Sequence, residues 1–280
     1  MATLREVLAD AGARLTRAGV ADAEREAAWL LAHVMGCSAG SLRLRGAEGI
    51  GAEQQQAFGD LVGRRAAREP IQYILGTEEF MGMTFTVTPA VLIPRLDTEV
   101  LVREVAALLS GPVRLADIGT GSGAIAVGLA TLLPRATVTA IDISAEALAV
   151  ARTNAAANGV ADRILFRQGD LLAPLAGERF DAIISNPPYI AEDDWAALLP
   201  EVQQWEPKGA LTPGDDALRF YRRLAAESPS LLKPGGMLAV EVGIGQAAAV
   251  AALFALAGFR VTVHRDTGAV DRAVIGRLCD

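Results

Sequence analysis

The chain has 280 residues, enough for one catalytic core and a smaller appendage. Its 51% hydrophobic and 21% charged residues predict a soluble globular protein, and no apolar run reaches the roughly 18 to 20 residues of a membrane span. A formal charge of -7 argues against a protein whose affinity comes mainly from neutralising phosphates, so direct nucleic-acid binding is not expected.

Residues 1–75 carry helical periodicity. Leu4, Val7, Leu8, Ala11 and Leu15 recur at helical spacing, Ala27, Leu30, Leu31 and Val34 repeat the pattern, and Gly36 with Ser38-Ala39-Gly40 ends that second run. Nine Arg stand against nine Asp plus Glu here, so this is no basic arm, and a substrate-docking or lid module fits better. Arg64, Arg65 and Arg68 read as a solvated helix face. Arg5, Glu6 and Asp10 deny the N-terminus the apolar centre of a secretory signal, which predicts a cytoplasmic protein.

In residues 76–99, Phe80, Phe85, Val87, Val91 and Ile93 mix with Gly76, Gly82, Pro89 and Pro94, as in a short β-hairpin followed by a linker. Residues 100–280 then alternate β-rich and Ala/Leu-rich helical runs. Strands are predicted at Val113–Ile118, Thr137–Ile141, Ile164–Gln168, Ala182–Ser185, Met237–Val242, Arg260–His264 and Ala273–Arg277. The fold class is therefore α/β, a mostly parallel seven-stranded sheet with helices on both faces and ligands at the carboxyl ends of its strands. The last two strands leave no room for a helix between them and form an antiparallel hairpin at the edge.

Three strand ends carry the chemistry. After the first, Gly119-Thr120-Gly121-Ser122-Gly123 lets the backbone approach a ligand closely and opens a helix with free N–H groups. The spacing departs from the dinucleotide fingerprint, because Ala124 stands three positions beyond Gly121. A carboxylate, Asp142, ends the next strand roughly twenty residues on, where an acid can accept both ribose hydroxyls; an ordinary helix cap is its bland alternative. After the third strand, Asp170 and Leu171 suit an adenine amino group and ring respectively, or a plain turn.

The fourth strand ends in Asn186-Pro187-Pro188-Tyr189. Two prolines cannot continue a strand, so the turn is fixed at the sheet edge. A primary amide or aromatic amine offers two coplanar N–H donors, which the Asn186 side-chain oxygen and the Pro187 carbonyl can accept together. Such a nitrogen is a poor nucleophile that must be oriented and polarised, while the Tyr189 ring covers the flat group and excludes water.

These residues resemble the release factor glutamine methyltransferases, the PrmC/HemK family. The shared segments are Pro70–Gly76, Glu79-Phe80, Val91–Arg95, Asp117–Gly123, Asn186–Tyr189, Trp205-Glu206-Pro207, Glu241-Val242-Gly243 and Asp271-Arg272. Two positions depart from the family pattern, Met81 where a tryptophan is common and Leu96-Asp97 in place of Pro-Glu. The resemblance implies a Rossmann-like class I methyltransferase domain and S-adenosylmethionine as cofactor, without a metal. The implied reaction is methylation of the glutamine side chain in the Gly-Gly-Gln motif of peptide chain release factors. It places cofactor contacts on Gly119 to Gly123, Asp142, Leu171 and Asn186, and substrate contacts on Asn186 to Tyr189. Adenine presents the same planar NH2 to such a turn, so an adenine N6-methyltransferase acting on nucleic acid is the alternative, and a non-catalytic adaptor could retain the fold. His33 and His264 lack ligand-spaced neighbours, and Cys37 and Cys279 lie near opposite ends of the chain, so neither metal nor disulfide is expected.

Overall fold

The computed structural model describes residues 2–279. In chain order the elements are α1 (Leu4–Arg17), α2 (Ala23–Met35), α3 (Ala39–Leu44), α4 (Ala52–Ala66), α5 (Ile71–Leu75), β1 (Thr77–Phe80), β2 (Met83–Thr86) and α6 (Thr98–Ala107). Then follow β3 (Arg114–Ile118), α7 (Ala124–Leu132), β4 (Thr137–Asp142), α8 (Ala145–Ala157), β5 (Ile164–Gln168), β6 (Phe180–Ser185) and α9 (Pro200–Trp205). The chain closes with α10 (Arg219–Glu227), β7 (Leu232–Glu241), α11 (Ala247–Leu256), β8 (Phe259–Arg265) and β9 (Asp271–Leu278). It divides into two compact units: the N-terminal stretch to Gly76 together with Leu199–Trp205, and Thr77–Leu198 with the stretch from Glu206 onward. Among the described residues no helix is long and apolar enough to cross a membrane.

The first unit is helical. Thr3 caps α1 through a capping box, its hydroxyl accepting the Glu6 N–H and its own N–H donating to the Glu6 carboxylate at 2.8 Å. Gly36 ends α2 in the left-handed conformation. Leu4, Leu15, Leu30, Leu31, Phe58 and Val62 are buried among α1, α2 and α4. The expectation of a solvated arginine face holds for the exposed Arg64 and is corrected for Arg65 and Arg68. Arg65 is buried, pairs with Glu26 and reaches Glu201 of α9 at 2.8 Å, while Arg68 reaches the same carboxylate at 2.6 Å and Arg64 pairs with Glu69. The shared partner lies 136 residues beyond Arg65, out of reach of any local pattern.

In the second unit β1 and β2 form the expected hairpin, turned by Met81 and Gly82. Both have positive φ, 53° and 71°, the twist a two-residue hairpin turn requires. Met81 packs partly buried against the core, and its N–H donates to Glu99 at 2.8 Å. The main sheet has seven strands in the order β5-β4-β3-β6-β7-β9-β8. Strands β3 to β7 pair in parallel, and β9 lies antiparallel between β7 and the edge strand β8. Strand β7 begins earlier than predicted, at Leu232, because Pro234-Gly235-Gly236 falls in an irregularity of the pairing with β6, between Leu232 opposite Phe180 and Met237 opposite Ala182, where such residues are tolerated.

Side chains alternate between two cores. Leu115, Ala182, Ile184, Met237 and Ala239 face α6, α7 and α8, whereas Ala116, Ile183, Leu238 and Val240 face α10 and α11. Burial on both faces explains why β3, β6 and β7 read as nearly continuous apolar runs.

Candidate active site

Strands β3, β4 and β5 run outward in one direction and β6 and β7 in the other, so the order reverses between β3 and β6. Open α/β sheets bind ligands at the carboxyl ends beside this reversal. Ile118 pairs with Ser185 there, which brings the loop from Gly119 and the turn from Asn186 side by side.

The glycine loop is held from behind. Gly119 and Thr120 donate their N–H groups to the Ile141 carbonyl, each at 2.9 Å, and Gly121 donates to the Asp142 carboxylate at 2.9 Å. Gly121 has φ +54°, and a Cβ added there would meet nothing within 4 Å, so this surface is an open cradle. Gly123 differs: with φ +83° it starts α7, and an added Cβ would stand 3.1 Å from that of Ala151. Ser122 is buried and its carbonyl accepts from Asn154 at 2.8 Å. Asn154 also accepts the Thr86 N–H and donates to the Thr86 carbonyl, at 2.7 and 2.9 Å, which ties the hairpin to the loop.

Asp117 is fully buried beneath the loop. One carboxylate oxygen accepts from Thr120 at 2.6 Å and from the Ala126 N–H at 3.1 Å; the other has no hydrogen-bond partner. Burial outweighs these bonds and pushes its pKa up to about 7.

The helix-cap reading of Asp142 is corrected. Its second oxygen accepts the Ser144 N–H at 2.9 Å, while the cap of α8 is Ser144 itself. A carboxylate has about four acceptor positions, so two backbone bonds leave room for ribose hydroxyls. Asp170 pairs with Arg223 at 2.9 Å on the surface, and Leu171 adopts φ 47° with its side chain against the second core.

Around Asn186 the structure adds two residues that sequence reading left without a role. The Asn186 amide N–H donates to the Thr98 hydroxyl at 3.3 Å, and that hydroxyl donates to Glu241 at 2.5 Å. Glu241 also accepts the Tyr189 hydroxyl at 3.3 Å. Among the described residues no donor reaches the Asn186 side-chain oxygen or the Pro187 carbonyl. Tyr189 is anchored further by its N–H to the Leu211 carbonyl at 3.1 Å and its carbonyl to Gln246 at 2.9 Å. Its phenol pKa is raised by burial and by the adjoining Glu241 carboxylate. Burial likewise raises Glu241 to about 7 against the bonds from Thr98 and Tyr189.

Residues 6–76 match the PrmC N-terminal domain, and residues 94–203 match the methyltransferase small domain. A release factor glutamine methyltransferase of Geobacter sulfurreducens is 45% identical over 277 residues, covering 99% of this chain and 97% of the relative. That decides the family. This chain belongs to the release factor glutamine methyltransferases. A second family member, from Cereibacter sphaeroides, is 46% identical over 266 residues, 95% of each chain. A solved Pyrococcus furiosus methyltransferase, 19% identical with a TM-score of 0.53, covers 72% of this chain and 91% of its own and shares the fold.

The Leu96-Asp97 departure from the pattern of release factor glutamine methyltransferases is accommodated. Leu96 is exposed, and Asp97 pairs with Arg272 at 2.8 Å. Arg95 pairs with the buried carboxylate of Glu206, which also accepts the Ile93 N–H at 3.1 Å. The signal that could have found Asn154 is a lone amide inside an Ala-rich helix. For Thr98 and Glu241 it is a hydroxyl at a helix start and an acid ending a buried apolar strand.

The residues present fit an adenosyl cofactor. An open cradle over Gly121, remaining acceptor capacity on Asp142 and an orphaned buried oxygen on Asp117 suit a ligand with ribose hydroxyls and a charged amino-acid end.

Proposed function

We propose that this chain transfers a methyl group from S-adenosylmethionine to the side-chain amide nitrogen (N5) of the glutamine in the Gly-Gly-Gln motif of peptide chain release factors. The observation that carries the reading is the Asn186–Pro187 pair: two acceptor oxygens without protein donors, beside the glycine loop at the sheet reversal. The full-length similarity to relatives named for release factor glutamine supports it. Nothing comparable supports the adenine reading.

In this mechanism Gly119, Thr120, Gly121, Ser122 and Gly123 cradle the cofactor, Asp142 receives the ribose, and Asp170 and Leu171 border the adenine. The Asp170–Arg223 pair is exposed and of low cost to rearrange. S-adenosylmethionine supplies an electrophilic methyl group. Asn186 accepts one amide N–H of the glutamine and the Pro187 carbonyl the other, which fixes the plane of the nitrogen and draws electron density onto it. Pro188 keeps the turn rigid, and Tyr189 closes the side facing water. A proton leaves after transfer, when the nitrogen has become acidic, so no strong base is required.

Residues 1–75 form the recognition domain in this reading and dock the release factor, with 76–99 as hairpin and linker and 100–280 as the methyltransferase domain. The site of action is the cytoplasm, where translation ends. Mass spectrometry of a purified release factor after incubation with the protein and labelled cofactor tests the reaction. The expected result is one methyl group on the Gly-Gly-Gln glutamine, lost in Asn186→Ala by on the order of 10²-fold in single-turnover rate. Labelling of adenine in nucleic acid with no mass change on the release factor would overturn it.

A further inference from the structure

We propose that Thr98 and Glu241 are positioning residues that decide which end of the Asn186 amide faces the reacting nitrogen. This rests on the glutamine-amide reading above. Above a pH of about 7 Glu241 is ionised and its carboxylate only accepts, so at 2.5 Å Thr98 gives its single hydroxyl proton to Glu241. The Thr98 oxygen can then only accept from Asn186, which turns the NH2 end of that amide inward and its carbonyl oxygen outward. A flipped Asn186 would set donors against the donors of a substrate NH2. The chain Glu241–Thr98–Asn186 therefore selects the one rotamer that can receive a primary amide, and the second oxygen of Glu241 holds Tyr189 across from it.

Burial makes the selection rigid. Glu241 and Thr98 are both buried, at the end of β7 and the start of α6, and α6 packs on the sheet beside β7 and β9. The groups facing Glu241 are Asp97 just before α6, Thr98 from α6, Tyr189 from the turn after β6, Arg272 from β9 and Tyr221 from α10, whose hydroxyl donates to the Glu241 main-chain carbonyl at 3.0 Å. Arg272 is committed to Asp97 at 2.8 Å and Asp266 at 3.0 Å. Hydroxyl donors, rather than a salt bridge, thus hold the carboxylate, and one of them is the relay to Asn186.

The test uses the full chain, a purified release factor and S-adenosylmethionine. Thr98→Val removes the hydroxyl at nearly constant shape, and Thr98→Ser keeps it. Thr98→Val is expected to lose on the order of 10-fold in kcat, with KM for the release factor and affinity for S-adenosylhomocysteine within about twofold. Thr98→Ser should recover the rate to within about threefold of the parent protein, because the relay is restored. In an Asn186→Ala background, Thr98→Val should cost less than about twofold more, since residues acting through one another are not additive. Thr98→Ala gives a second reading should the valine fail to fold. A Thr98→Val protein at the parental rate, or one losing the same factor in both backgrounds, would overturn the proposal. An Asn186→Ala protein at full rate would instead remove the glutamine-amide reading itself.

Discussion

The Asp142 carboxylate accepts the Gly121 N–H at 2.9 Å, joining the end of β4 to the loop that follows β3. One side chain thus shapes the cradle and, in the proposed function, receives the ribose. Asp142→Ala removes both contributions. Each hydrogen bond to a charged acceptor is worth about 1.5 to 3 kcal/mol, so affinity for S-adenosylhomocysteine should fall at least about 10-fold. Calorimetric titration of the folded variant checks this, and unchanged affinity would take Asp142 out of the site.

Asn154, near the C-terminal end of α8, carries three side-chain hydrogen bonds, two partly buried to Thr86 and one buried to Ser122. Replacing it by alanine leaves one donor and two acceptors without partners, which should cost about 2 to 5 kcal/mol. Urea unfolding of Asn154→Ala gives the number. A loss below about 0.5 kcal/mol, the scale of an ordinary surface change, would mean that the link does not hold hairpin and loop together.

Asp117 supplies a pH dependence with a defined sign. Its pKa is raised from an ordinary carboxylate value near 3.8 to about 7 in the folded protein, so the native state binds more protons than the unfolded state between those limits. Its contribution to stability is fully present below the lower limit and is lost as pH rises through the upper one. Asp117→Asn keeps an acceptor for Thr120 and Ala126 but cannot titrate, so stability should fall less steeply across this window. Unfolding curves at several pH values for both proteins decide it, and parallel profiles would count against a protonated Asp117.

Arg65 is a buried cation between Glu26 and Glu201. Arg65→Ala leaves Glu26 without its partner, while Glu201 keeps Arg68, and should destabilise the helical unit by about 3 to 5 kcal/mol. Arg25 pairs with Asp22 where both side chains are more than half exposed, so Arg25→Ala should cost under about 1 kcal/mol. Circular dichroism during urea unfolding compares the two, and equal losses would contradict the distinction.

The sequence by itself made the helical N-terminal stretch, the hairpin and the seven strands legible, and it offered candidate residues at the strand ends. The Leu4–Leu15 spacing, the β-rich runs from Val113 and the Asn186-Pro187-Pro188-Tyr189 turn are local signals, because helix periodicity, strand burial and proline geometry act over a few residues. Tertiary structure decided the partners. Thr98 and Glu241 stand 143 positions apart, and Arg65 and Glu201 stand 136 apart. Nothing in the order of residues between them encodes which carboxylate a hydroxyl or guanidinium will meet. Those pairings arise where the order of β3, β6 and β7 sets the carboxyl end of one strand beside the start of α6, and where α9 returns to α4. The low dielectric at those meeting points then makes each bond strong and each unpaired group costly, and this is why the buried network around Asn186 could be read only from the folded chain.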